Sequence, residues 1–155
     1  MKKLLAMMLM LLAVVITGCQ KKVDVGSIIL GENYNETEAA LKRDGVKFDE
    51  QNDSVLSGWG SIYVLDVKFD HIRCEFKNGK LNKVAAWRQL STLPNSKIEN
   101  FKQHLRVICG DGYSDTENMV AGYGTKGDNN GCIGGIKVAW NDDEDVFFAT
   151  IRLAD

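Results

Sequence analysis

Ile72-Arg73-Cys74-Glu75-Phe76-Lys77-Asn78-Gly79-Lys80-Leu81-Asn82-Lys83-Val84-Ala85-Ala86-Trp87 is the stretch whose reading decides the fold. Ile72, Cys74 and Phe76 alternate with charged residues, the period of a strand with one buried face. Asn78-Gly79 then supplies two residues that tolerate positive φ, the strongest short signal for a two-residue hairpin. Leu81 to Trp87 runs back from that turn, so an antiparallel pair is predicted. Upstream, Trp59, Tyr63, Leu65, Val67 and Phe69 follow the same alternation and predict one half-buried strand from 59 to 69. Before it, Asn35 to Gly45 reads as a short helix. Asn35 is the expected N-cap, Glu38 completes a capping box, and Gly45 is the left-handed stop.

The second half repeats that order. Pro94 to Cys109 predicts a longer helix with Ile98, Phe101, Leu105 and Ile108 on one face, stopped by Gly110. Residues 112–124 are expected as one irregular strand, and 126–135 as a glycine-rich segment, either a binding loop or a slack connection. Ile136, Val138 and Trp140 predict a strand, Asn141 to Asp145 a solvated turn, and Phe147, Ala149, Ile151 and Leu153 a closing strand. Leu41 and Leu105 are 64 residues apart, each shortly before a helix-ending glycine; Phe76 and Trp140 are also 64 apart, each entering a hairpin turn. These registers predict an α+β fold of two tandem α-β-β-β units, halves at about 28–90 and 91–155. Their strands form one antiparallel sheet with both helices packed on one face.

The N-terminus decides location. Lys2 and Lys3 precede an apolar run of 13 residues, Leu4 to Ile16, followed by Ile16-Thr17-Gly18-Cys19. A positive start, a short apolar core and small residues at a cut site form a secretory signal. The run falls short of the roughly 20 residues needed to span a bilayer. Ile16-Thr17-Gly18-Cys19 resembles the lipobox of bacterial lipoproteins. That resemblance implies diacylglycerol on the Cys19 sulfur, cleavage between Gly18 and Cys19, and acylation (palmitate or a similar chain) of the new amine. Gln20 after the cysteine, in place of Asp, leans towards the outer membrane by the same resemblance. The expected organisation is a signal peptide over 1–18, a lipidated tether over 19–27 and a single domain over 28–155.

Removing 18 of the 155 residues leaves 137, enough for one domain with its own core. The leader takes two lysines and no acid with it, so the formal charge moves from −2 to −4. No basic footprint for nucleic acid exists. Lys21-Lys22 either docks against anionic headgroups or is a solvated tether. Three cysteines remain after lipidation. Cys109 and Cys132 are candidates for a disulfide, with Cys74 a small buried hydrophobe, and all three staying unpaired is the alternative.

Helix-then-strands order behind a lipobox resembles small bacterial lipoproteins of the SmpA/OmlA type and the β-lactamase-inhibitor-protein fold. That resemblance implies a non-catalytic module holding a protein partner at the envelope.

No motif argues for an enzyme. His71 and Cys74, three apart on a strand, face opposite sides, and His104 and Cys109, five apart on a helix, do not face each other either. Structural roles are expected for both histidines, one at a strand edge and one on a solvated helix face. The runs Asp142-Asp143-Glu144-Asp145 and Asp128-Asn129-Asn130-Gly131 lack the alternating spacing that wraps ligands around calcium, and no C-x-x-C pair marks zinc. Neither a metal nor a cofactor is expected. The leading expectation is a non-catalytic, lipid-anchored protein-binding or assembly module of the cell or outer membrane, facing periplasm or cell surface. A small-ligand or solute-binding lipoprotein, using a sheet face around Trp59, Tyr63 and Trp87, is the alternative.

Overall fold

The computed structural model describes residues 25–109, 113–116, 119–122, 135–141 and 143–152. Helix α1 (Tyr34–Arg43) leads into β1 (Lys47–Asn52), β2 (Val55–Val64), β3 (Val67–Lys77) and β4 (Lys80–Gln89). A 3-10 turn (Leu90–Thr92) then hands the chain to helix α2 (Asn95–Cys109), followed by β5 (Tyr113–Thr116), β6 (Met119–Gly122), β7 (Gly135–Asn141) and β8 (Val146–Arg152). The fold is α+β, and all eight strands lie in one antiparallel sheet of order β1-β2-β3-β4-β8-β7-β6-β5. Four strands follow each helix, where three were expected. The unexpected β1 carries few apolar residues, and residues near 112–124 form the hairpin β5-β6 instead of one strand.

The capping box of α1 sits two residues earlier than expected. Asn33 accepts the Glu36 N–H at 3.0 Å, and Glu36 accepts the Asn33 N–H at 3.2 Å. Asn33-Glu36 and Asn35-Glu38 are overlapping boxes by sequence. The earlier one wins because the chain is already tied to the sheet there: the Leu81 N–H donates to the Glu32 carbonyl at 2.8 Å, and Asn33 bridges Lys80. Glu38 is thereby released to Lys42 at 2.7 Å and Gln51 at 2.9 Å. Gly45 does end the helix, at φ +79°.

Asn78-Gly79 turns β3 into β4 with φ values of +53° and +74°. The expected strand from 59 to 69 is broken by a second such turn, Leu65-Asp66, at φ +46° and +66° with no glycine. The buried aliphatic side chains of β2 are therefore Leu56, Ile62 and Val64, while Trp59 and Tyr63 are exposed. Gly58 and Gly60 explain the reversal. A Cβ on Gly58 would lie 2.5 Å from the Lys47 carbonyl oxygen, and one on Gly60 would lie 3.0 Å from the Val46 Cα. The two glycines let the chain entering β1 cross β2 closely on the core side, which turns Trp59 outward.

One core cluster gathers Leu41 of α1, Phe101 and Leu105 of α2, and Leu56, Ile72 and Phe147 of the sheet. Leu41 and Leu105 are fully buried, and Phe76 and Trp140 pack against the same cluster. The chain already belongs to the domain at Val25, which is buried, bridges Val64 and is followed by a Gly26 N–H to Tyr63 carbonyl bond of 2.9 Å. The segment 25–27, expected as tether, is thus seated on β2. Gly18, Cys19, Gly110, Cys132, Leu153, the glycine-rich stretch before Gly135 and the Asp128 to Gly131 run lie outside the described residues, as does the Cys109 side chain.

Candidate functional site

Strand register builds a row across the face of the sheet away from the core cluster. Trp59 of β2 pairs with His71 of β3, His71 with Trp87 of β4, and Trp87 with Phe148 of β8. Directly paired residues project to the same face, so the row is aromatic across four neighbouring strands. Trp59 and Tyr63 are 56% and 54% exposed. Of the three residues expected as a ligand face, those two stand on open sheet. Trp87 is half-buried, because its ring stacks on His71 at 3.8 Å between centroids.

His71 is the centre of the row, and sequence reading misplaced it. It was expected at a strand edge, yet β3 is flanked on both sides and His71 is 4% exposed. Trp59 meets it edge-on at 4.4 Å. Its Nε2 lies 3.0 Å from an Asp49 carboxylate oxygen and 3.5 Å from Ser57 Oγ. An ionised carboxylate only accepts, so the Nε2–H donates to Asp49. Nδ1 is buried and has no hydrogen-bond partner.

Ser, His and Asp together invite comparison with a hydrolytic triad, but the wiring differs. In a triad the serine and the aspartate use opposite ring nitrogens, so that one orients the imidazole while the other moves the serine proton. Here both meet Nε2. Asp49 takes the donor role of the ring for itself, and Ser57 has no free base. The arrangement holds β1 to β3 across β2 and fixes the imidazole tautomer.

The hydrogen bond from His71, aided by one from Ser57, holds the Asp49 carboxyl below its usual range. A lowered pKa of this kind contributes stability above the ordinary aspartate value, about 3.9, and loses it as pH falls through the lowered value. Asp49→Asn should therefore flatten the acid limb of the stability profile below about pH 4. Denaturant titrations at stepped acid pH check this.

Beside the row the charges close on one another. Arg73 pairs with Glu50 and Glu75, and Lys83 reaches Glu75 at 3.2 Å. Asp145, expected in a solvated turn, is committed as well. It accepts the Ser91 N–H at 2.6 Å and the Ser91 hydroxyl at 2.7 Å, which lowers its pKa. No group of three or more His, Cys, Asp or Glu able to hold a metal occurs among the described residues. His104 is exposed on α2, as expected, beside a shallow cleft of about 320 Å³ shared with Leu65, Asp66 and Lys97.

Cys74, three residues from His71, points into the core on the other side of the sheet and is a free thiol. Burial pushes its pKa up to about 12. Since the thiolate is the reacting species, Cys74 should resist thiol reagents at pH 8 in the native protein and react once denaturant is added. Labelling followed by mass spectrometry checks it.

Compared with known protein families, with curated proteins and with solved structures, the chain matches none.

Proposed function

We propose that this protein is a lipid-anchored module of the bacterial cell envelope that binds a protein partner through the outer face of its sheet, without chemistry of its own. One observation carries the binding half: Trp59 and Tyr63 are more than half exposed on the same strand of an aromatic sheet face. Tryptophan, tyrosine and arginine dominate the energetics of protein interfaces, and Arg73, opposite Ser57 in register, has its charge held by Glu50 and Glu75. The anchoring half rests on Ile16-Thr17-Gly18-Cys19 and its leader.

The tandem reading belongs here too. Ser27 donates its N–H and hydroxyl to Asp44 at 2.8 and 2.6 Å, and Ser91 makes the same pair of bonds to Asp145. Ser27 and Ser91 are 64 residues apart, the offset of Leu41 to Leu105 and of Phe76 to Trp140. Their acceptors are not equivalent: Asp44 caps the end of α1 and Asp145 lies in the β7-β8 turn, so only the donors match in register. In the sheet each half runs as a four-strand meander, and the last strands, β4 and β8, meet at the centre. These correspondences support two related α-β-β-β-β units over one core. Likeness to the tandem-repeat envelope lipoproteins remains part of the proposal.

The test is capture from detergent-solubilised envelopes by the wild-type protein and by a Trp59→Ala, Tyr63→Ala variant. Two hot-spot truncations at about 2 kcal/mol each should weaken a true partner about a thousandfold if additive. A stoichiometric partner retained at wild-type yield by the variant would refute this face. Small-solute binding, the alternative, draws on the same rings. It is disfavoured because Trp59 and Tyr63 line open surface and Trp87 is occupied by His71.

A further inference from the structure

We propose that His71 is a proton-operated latch on the outer face: uptake of a proton at Nδ1 frees Trp59 from its edge-on contact and so remodels the proposed docking surface. The proposal deepens the binding reading given above and rests on it for its biological use, though not for its physics.

The neutral imidazole fits its surroundings with one defect. Nε2–H is satisfied by Asp49 at 3.0 Å, while Nδ1 is a bare buried lone pair. Protonation turns that defect into a charged N–H donor with no acceptor. An unmet charged donor is a heavier penalty than an unmet lone pair. Two forces nevertheless favour the proton. The Asp49 carboxylate stands at hydrogen-bond distance, and the stacked ring of Trp87 lies within cation–π range of the imidazole. The cation is therefore welcome, and its new N–H is what must find a partner.

Of the remaining charges on this face, Lys47 of β1 stands opposite Trp59 in register and is a donor only, and the carboxylates are engaged. From β1, Glu50 pairs with Arg73; from β3 itself, Arg73 also meets Glu75, and Asp70 stands 3.9 Å from Lys68; from β4, Lys83 holds Glu75. Arg152 of β8 stands opposite Lys83 in register and extends this ionic end of the face. None of these groups is an acceptor bonded to Nδ1. Water is the remaining acceptor, and on this proposal it enters past one of the two rings that pack on the imidazole. Trp87 is stacked and half-buried between β3 and β8, whereas Trp59 touches His71 only edge-on and is more than half exposed. Trp59 is the ring that yields. Reciprocity follows. A partner that presses Trp59 down seals Nδ1 from water and favours the neutral ring, so the affinity of such a partner falls on acidification.

The experiment needs no partner. Indole N–H signals of Trp59, Trp87 and Trp140 and the imidazole signals of His71 are followed by NMR across the range in which imidazoles change charge. Acrylamide quenching of tryptophan emission is measured in parallel. Expected are a single inflection shared by His71, Trp59 and Trp87, an unmoved Trp140, and higher quenching on the acid side. In His71→Gln the inflection and the gain in quenching should be lost. In Asp49→Asn, which keeps the imidazole and removes its anion, the inflection should shift to lower pH. An inflection of Trp59 that survives His71→Gln, or a His71 that titrates while Trp59 and its quenching stay constant, overturns the latch. Should His71→Gln fail to fold, the Asp49→Asn shift and the wild-type quenching profile decide alone. A latch that works in a protein with no Trp59-dependent partner would refute the docking reading and leave this one standing.

Discussion

Replacing Phe147 by alanine should destabilise the protein by about 3–5 kcal/mol, as large-to-small changes at packed aromatic sites do. Phe147 comes from β8, one of the two strands at which the halves of the sheet meet, and is fully buried. Its ring stacks on Phe69 of β3 at 5.7 Å and on Trp140 of β7 at 6.3 Å, and meets Phe101 of α2 edge-on at 6.1 Å. One side chain thus joins a strand of the first half to a strand and the helix of the second. Aromatic pairs add about 0.5–1.5 kcal/mol each beyond area burial, so the upper end of the range is expected. Against a total stability of about 5–15 kcal/mol, the loss is a large share. Urea unfolding should show a lower midpoint at an unchanged slope. Val107→Ala, on the outside of α2 at 77% exposure, is the control and should stay within about 0.5 kcal/mol of wild type. A Phe147→Ala change as small as the control would mean that the two halves do not share a core.

Much of this architecture is legible in residues whose preference is local. Asn78-Gly79 makes its turn because both positions need positive φ and the pair tolerates it. Gly45 ends α1 for the same reason, and the apolar stripe of α2 needs only helical periodicity. What was illegible depends on contacts between segments. Leu65-Asp66 adopts the same left-handed turn with neither glycine nor asparagine, held by Val64 and Val67 pairing on either side. No local signal marks it, so two strands merged into one on paper. β1 has too few apolar residues to announce itself; it forms because β2 offers an edge and Gly58 and Gly60 clear its path. Asn33 outcompetes Asn35 as cap because the sheet has already taken hold of Glu32 and Asn33.

The candidate site shows the same division. Trp59 and Tyr63 could be picked out as aromatics in alternation, yet which way they face depended on the glycines beside Trp59. His71, Asp49 and Ser57 lie 22 and 14 residues apart along the chain, and only the β1-β2-β3 register brings them together. The signal that would have found them is the pairing of Asn52 with Val55, which fixes the first hairpin and, through it, the depth at which Asp49 meets His71. Register, in turn, depends on where the bulges fall, at Phe48/Glu50 and at Trp59/Ile62. These are outcomes of packing, and sequence periodicity does not encode them.

The Cys19→Ala variant should lose its acyl mass and cease to fractionate with membranes, the largest effect expected of any single substitution here. Among the described residues no helix is long and apolar enough to cross a membrane. The large apolar side chains of the described residues are mostly spent on the core; of the exposed ones, Trp59 and Tyr63 share β2, while Ile29 and Val107 stand on other segments. On the proposed reading, membrane attachment comes from residues 1–19, and within them from the Cys19 sulfur, the atom that would carry the thioether. Acyl chains hold by about 0.8 kcal/mol per buried methylene; one chain binds marginally and reversibly, whereas two or more anchor stably. Losing the sulfur removes the diacylglycerol and, with it, the processing that exposes the third acylation point, so the loss should be complete. Cys74→Ala is the matched control. It deletes a buried thiol, destabilises modestly and should leave fractionation unchanged. Intact-mass measurement of the wild-type protein decides the matter directly. A Cys19 that carries no lipid, or a leader cut elsewhere, would remove the anchor from the proposed function while leaving the aromatic face and its latch untouched.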